Sequence, residues 1–330
     1  MKAAVIEAID QLVVKKVAFP EIRPGHVLVK VSFGGLCGPT DDAILRGLHP
    51  RAAFPLVLCH EFSGIVFETG ASVNKVKSGD PVVVNPLLVC GDCSMCREGH
   101  SYICENLRLI GIDQDGGFAE YCLVPEDAAV PVPESMPLKV AALSEPMAVG
   151  VHAVKESGLG VGQRALVFGA GPIGMLTAEA CRIAGADAVT MVDLDARRLD
   201  MARSMGFAAV RDLAELSGEP RFEFVFETTG AAAVLSPALE MVKTKGTVMI
   251  VGKFDSDPPF DLHTVLFKEI VVKGARVYRS REFLTAVRLL ASNPNRYERL
   301  ITDVFDLEHA PDVIESFRTK RNVGKLMIAM

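Results

Sequence analysis

The sequence predicts an α/β protein of two domains, one β-rich and one a doubly wound parallel sheet. Three observations carry this expectation. The chain has 330 residues, and at about 150 residues per domain that length suggests two buried cores. From Met1 to about Ala129 the apolar runs are short and punctuated by Pro and Gly, the habit of an irregular all-β region. From about Arg164 short β-rich runs alternate with helix-length segments, the rhythm of parallel strands joined by crossover helices.

Taken in order, residues 28–33, 63–68 and 81–85 are the strands expected of the first region. Residues 165–168, 188–192, 222–227 and 247–251 are those of the parallel sheet. The last fifty residues hold a helical pattern at 282–291 and a strand-like run at 325–328. No internal repeat or low-complexity tract interrupts this plan.

Composition removes several functional classes. With 49% hydrophobic and 23% charged residues and a mean hydropathy of +0.29, the chain lacks the signature of disorder. The longest stretch free of charge, 165–178, is shorter than the ~20 apolar residues that span a bilayer. Lys2, Glu7 and Asp10 break any secretory h-region, so a cytoplasmic protein with no membrane partner is expected. A net charge of −6 without a basic run argues against nucleic acid, whose phosphates need clustered Lys and Arg. The eight cysteines would stay reduced in the cytosol, which makes metal binding the leading use for clustered ones.

Cys90, Cys93, Cys96 and Cys104 form such a cluster, C-x2-C-x2-C-x7-C. Four thiolates suit tetrahedral zinc and leave no position open for chemistry, so the site should be structural. An iron–sulfur cluster is the competing metal, but its bacterial run closes as C-x3-C-P, unlike the x7 spacing and Glu105 here.

Phe168 is followed by Gly169-Ala170-Gly171-Pro172-Ile173-Gly174, a G-x-G-x-x-G between a strand-like run and a helical one. Gly169 permits the tight turn, Gly171 the approach of a pyrophosphate, and Gly174 close helix–strand packing, with the helix N-terminus facing the anion. Pro172 presets the first helical turn. Asp193, 19 residues past Gly174, can accept hydrogen bonds from both ribose hydroxyls and repel a 2′-phosphate, which favours NAD over NADP. Arg197 and Arg198 lean the other way, since a guanidinium there can receive that phosphate. Thr228, Val251 and Gly252 complete the expected cofactor-binding set.

Cys37, His60, Glu61 and Glu145 are uninformative one by one. In company they carry a resemblance. The order Gly35-Leu36-Cys37-Gly38, Cys59-His60-Glu61-Phe62-Ser63-Gly64, the four-cysteine loop, Gly116-Gly117-Phe118-Ala119-Glu120-Tyr121, Glu145-Pro146 and the glycine loop resembles the zinc-dependent medium-chain alcohol dehydrogenases over essentially the whole chain. Glu145-Pro146-Met147-Ala148-Val149-Gly150-Val151-His152-Ala153 resembles the sorbitol (polyol), butanediol and threonine dehydrogenase branch.

The resemblance implies a GroES-like catalytic domain at 1–148 completed by 281–330, a Rossmann NAD-binding domain at 149–280, and a cleft between them where cofactor and catalytic zinc meet. It implies that Cys37, His60 and Glu61 ligate a catalytic zinc and that Glu145 reaches it directly or through water. Arg198 falls beside the adenosine ribose and Tyr278 in the substrate pocket. Two zincs per chain, a small alcohol substrate and a homodimer or homotetramer follow. The implied activity is oxidation of a secondary hydroxyl of a polyol, sugar or sugar derivative to a ketone by NAD; an L-threonine or vicinal-diol dehydrogenase would use the same ligands. A nucleotide-binding remnant of the fold without catalysis is the rival from another class.

Three departures from the family pattern bear on mechanism. Pro39 lengthens the usual C-G-[ST]-D to Cys37-Gly38-Pro39-Thr40-Asp41, with Thr40 as the expected hydroxyl relay. Asp42 or Ala43 stands where relatives carry a relay histidine. Cys59 replaces the Gly before His-Glu, where its thiol would compete for metal or reshape the pocket. One thiolate and two carboxylates would also exceed the charge of a divalent ion, a weakness for a Lewis acid that favours Glu145 exchanging with water.

Overall fold

The computed structural model describes residues 1–218, 221–319 and 322–330. Met1–Glu145 with Arg279–Met330 forms one compact unit, and Pro146–Tyr278 forms the other.

In the first unit, β-branched runs build a seven-stranded sheet. Its order is Ala129–Pro131, Pro81–Val84, Glu61–Thr69, His26–Gly35, Lys325–Ala329, Ile301–Asp306, with Tyr121–Pro125 also paired to His26–Gly35. His26–Gly35 is the hub. It pairs Glu61–Thr69 along one edge; along the other it pairs Tyr121–Pro125 at its start and Lys325–Ala329 at its end. Val27, Leu28, Val29, Val82, Val83, Val84, Met327 and Ile328 are buried, and each such side chain removed from water contributes about 1.5–3 kcal/mol. Gly35 lies opposite Glu61 on one side and Met327 on the other.

The second unit is a parallel sheet in the order Ala208–Val210, Ala188–Val192, Arg164–Phe168, Phe222–Glu227, Val242–Ile250, Val271–Gly274. All its pairs are parallel. The chain winds outward from Arg164–Phe168 to one edge and resumes at Phe222–Glu227 toward the other, so the order reverses between these two strands. That reversal is where doubly wound sheets bind ligands, at the carboxyl ends of the strands. Leu166, Phe168, Val225 and Val248 belong to the core beneath it.

The region expected to be all-β contains the helix Gly38–Leu45. Pro39 in its first turn and Asp41 behind it are helix-starting residues, but eight residues are too few to display a helical period. The strand expected at 63–68 begins two residues earlier, at Glu61, and so carries a carboxylate on sheet backbone. Among the described residues, no helix is long and apolar enough to cross a membrane.

Candidate functional site

The four cysteines of the 90–104 loop converge. Their sulfurs lie within 4.8 Å of one another, with Cys104 3.4 Å from Cys90, Cys93 3.9 Å from Cys104 and Cys90 4.0 Å from Cys96. Four sulfurs about 2.3 Å from a tetrahedral zinc stand about 3.8 Å apart, so the cage has the size of the ion. All four are free thiols. Gly91 and Gly99, at φ 81° and 83°, turn the loop around them through a conformation that costs glycine little. Backbone N–H groups of Glu105 and Cys96 bring the Cys93 thiol down to about 7, toward the thiolate that a metal requires.

A second group assembles at the end of the strand His26–Gly35. Cys37, His60 and Glu61 offer ligand atoms within 4.8 Å of one another. Cys37 leaves the central strand just before the helix Gly38–Leu45, while Glu61 opens the neighbouring strand opposite Gly35. The segment Gly116-Gly117 presses on the backbone between them: Gly117 N–H donates to the Cys59 carbonyl at 2.9 Å, and a Cβ at Gly116 would sit 2.1 Å from that oxygen. Cys59 itself has φ 85°, an uncommon conformation for a side chain with a Cβ. Its sulfur faces the carbonyls of Gly35 and Glu61 at 3.6 and 3.5 Å and is not part of the donor group of Cys37, His60 and Glu61.

His60 and Glu61 are buried and Cys37 half-buried, and the group is rich in negative donors. Asp41 is fully buried and accepts from the Cys37 N–H at 2.9 Å; burial pushes its carboxyl up to about 6 against the pull of His60. Burial alone would lower the His60 imidazole, but the Cys37 sulfur, Glu145 and Asp41 outweigh it and hold it up to about 10. The charge that keeps a proton on His60 favours a divalent cation in the proton's place. Thiolate, imidazole and carboxylate are zinc donors, and three of them leave one position open. Lys325, buried on the strand Lys325–Ala329, pairs with Glu61 Oε2. Burial pushes its ammonium down, yet Glu61, Cys37 and Glu145 prevail and hold it above its ordinary value.

The remaining first-unit residues are less closely drawn in. Glu145, buried in the first turn of the helix Ser144–Ser157, stands outside the group of three but adds its charge to His60 and Lys325. Thr40 is half-buried on the helix Gly38–Leu45 and Ala43 is buried. Asp42 is held by Arg318 Nε at 2.5 Å and Arg46 at 3.6 Å.

In the second unit, Gly169 has φ 99° and a Cβ there would meet Thr228 Oγ1 at 2.7 Å. A Cβ at Gly174 would lie 1.9 Å from the Gly169 carbonyl, so helix and turn touch only because both residues are glycine. The helix Pro172–Ile183 follows, with no side chain capping its first amides, which leaves them for an anion. Asp193 accepts from Ala170 N–H at 2.7 Å and Asp195 N–H at 2.9 Å, with Arg198 3.9 Å away. Arg197 is engaged by Asp195, whereas Arg198 Nε is buried without a hydrogen-bond partner. Thr228 donates to the Phe168 carbonyl at 2.7 Å, tying the two strands at the switch point. Tyr278, the last residue of this unit, is fully buried.

Sequence reasoning missed Asp41, Lys325 and Glu227. Glu227 ends the strand Phe222–Glu227 and is fully buried. Its Oε1 accepts from Thr229 N–H at 2.6 Å, Thr229 Oγ1 at 2.5 Å and Gly230 N–H at 2.9 Å. Its carbonyl accepts from Val251 and Gly252 at 2.8 and 3.0 Å. A charged residue closing an apolar strand was the available signal.

Comparison with known proteins gives the family. Residues 23–134 match the alcohol dehydrogenase GroES-like domain, and residues 172–292 match the zinc-binding dehydrogenase family. A 2-dehydro-3-deoxy-L-galactonate 5-dehydrogenase of Pseudoalteromonas atlantica is 34% identical over 86% of each chain. The chain belongs to the zinc-dependent alcohol dehydrogenase family. A second member, the D-altritol 5-dehydrogenase of Agrobacterium fabrum, is 40% identical over 70% of each chain. A zinc-binding dehydrogenase of Sinorhizobium meliloti, solved bound to NADP, superposes with a TM-score of 0.92 at 32% identity, covering 100% of this chain and 99% of its own. Both family domains are therefore present in this member, the GroES-like and the Rossmann type, and both donor sets suit the family's metal.

Proposed function

We propose that the protein oxidises a secondary hydroxyl of a polyol, sugar or sugar derivative to a ketone, with NAD as acceptor. The observation that carries this reading is the convergence of Cys37, His60 and Glu61 in a chain that also carries a nucleotide turn at its switch point. Relatives acting at C5 of altritol and of a deoxygalactonate support the substrate class. In this reading 1–148 with 281–330 is the catalytic domain and 149–280 the NAD domain.

Cys37, His60 and Glu61 would hold the catalytic zinc, Glu145 would reach it directly or through water, and Cys90, Cys93, Cys96 and Cys104 would hold the structural one. Zinc at such a site supplies Lewis-acid polarisation of the substrate hydroxyl, and NAD supplies the hydride acceptor. The chain's own residues do the positioning. Gly169, Gly171, Pro172, Ile173 and Gly174 seat the pyrophosphate, Asp193 and Arg198 the adenosine ribose, and Thr228, Val251 and Gly252 line the rest of the cofactor. Thr40 takes the substrate proton, and Tyr278 belongs to the substrate pocket.

A homodimer or homotetramer fits the edge strand Val271–Gly274, where Val271 and Val272 are exposed and the helix Leu262–Lys268 adds exposed Leu266 and Phe267. A second copy would cover that apolar edge. Eight free thiols suit a reducing compartment, the cytoplasm. The test is a panel of polyols, sugar acids and amino alcohols with NAD and NADP, followed at the reduced-nicotinamide absorbance. Failure of every secondary alcohol with the metal sites filled would overturn the activity.

A further inference from the structure

Glu61, Gly35 and residues 325–327 sit side by side on three adjacent strands, with Gly35 in the middle. Side chains from the two outer strands ordinarily meet a third between them. Here nothing intervenes: a Cβ at Gly35 would lie 2.7 Å from Glu61 Oε2 and 2.8 Å from Lys325 Cε. The missing side chain is the opening through which the Glu61–Lys325 pair forms. Such a pair, buried on both sides, is a poor source of stability, because desolvating two ions consumes most of their attraction. Its address suggests another use.

We propose that Lys325 is a positioning residue for the catalytic metal: across the gap at Gly35 it holds Glu61 by Oε2, leaves that carboxylate one oxygen for the ion, and offsets the negative charge of the donor set. The proposal rests on reading Cys37, His60 and Glu61 as the metal ligands. Cys37, Glu61, Asp41 and Glu145 surround the site with acidic groups, and Lys325 is a buried lysine set among them. Without it, Glu61 is free to give both oxygens, the ion is gripped harder, and its pull on a substrate hydroxyl weakens.

The experiment measures zinc affinity at fixed pH by competition with a chromophoric chelator, in the full-length protein and in Lys325→Met, Lys325→Arg and Gly35→Ala. The unmodified protein should hold two zincs per chain. Lys325→Met should hold the catalytic zinc about tenfold tighter or more, as loss of a nearby positive charge requires, while turnover falls. Lys325→Arg should return affinity toward that of the unmodified protein. Gly35→Ala keeps both charges but parts them, and should tighten zinc in the same direction. A purely structural lysine would give weaker binding on removal. If the unmodified protein lacks the second zinc, the ligand reading itself fails. If it has both and a folded Lys325→Met binds zinc no tighter, the role of Lys325 is refuted; should that variant not fold, unchanged or weaker binding in Gly35→Ala refutes it equally.

Discussion

Glu227 offers a test in which two substitutions at one position should part company. Its Oε1 takes three donors, two of them the backbone amides of Thr229 and Gly230, whereas its Oε2 is buried with no hydrogen-bond partner. Glu227→Ala strands both amides. At about 1–3 kcal/mol for each buried amide left unpaired, the loss is about 2–6 kcal/mol, or about 4–24 °C in melting temperature at 2–4 °C per kcal/mol. The turn that carries Thr228 would loosen with it, so NADH affinity should fall too. Glu227→Gln keeps a carbonyl for the same three donors and alters only the oxygen that accepts nothing. It leaves both backbone amides paired but buries an NH2 group where Oε2 has no partner, so it should cost about 1–3 kcal/mol, less than Ala, with near-normal NADH binding. Thermal unfolding and NADH fluorescence titration on both variants decide it. Equal damage from Gln and Ala would refute the acceptor geometry and point to the carboxylate charge instead.

Three further outcomes are expected. Cys93→Ser should lose one zinc and lower the melting temperature, since a closed thiolate site contributes binding energy to folding; full metal content with an unchanged melting temperature would contradict the structural role. Asp193→Ala releases Ala170, Asp195 and Arg198 and should shift kcat/KM toward NADP by roughly tenfold or more, whereas a starting preference for NADP would contradict the assignment of Asp193. Thr40→Val should cost about 10²–10⁴ in rate, as loss of a placed proton-transfer group does, while Asp42→Ala, which breaks ion pairs to Arg318 and Arg46, should be mild; steady-state rates across pH compare the two, and normal turnover by Thr40→Val would remove Thr40 from the relay.

What could be read from the chain depended on how far apart the cooperating residues lie. The four cysteines and the glycine loop are each contiguous, so spacing alone exposed their chemistry. Cys37, His60 and Glu61 emerged only through likeness to a family, because no periodicity joins residue 37 to residue 60. Lys325 was beyond reach. Its partner is 264 positions away, and the meeting depends on strand register and on one absent side chain at Gly35. Glu227 looked like the last residue of a strand; only the turn that folds back over it revealed five donors on one residue. The helix Gly38–Leu45 escaped for a different reason, being too short for its pattern to stand out from the β-rich run around it.

The strand Lys325–Ala329 inserts between His26–Gly35 and Ile301–Asp306, and this has a consequence for how the molecule is made. During synthesis Pro146–Tyr278 emerges as one uninterrupted segment holding all six of its strands, so it can condense while the ribosome is still working. The sheet around Glu61 cannot. Its hub strand waits, with one edge half unpaired, until Lys325–Ala329 has been made, and only then does the lysine arrive. Loss of Lys325–Ala329 would strand an exposed edge and a buried acid without its counter-ion.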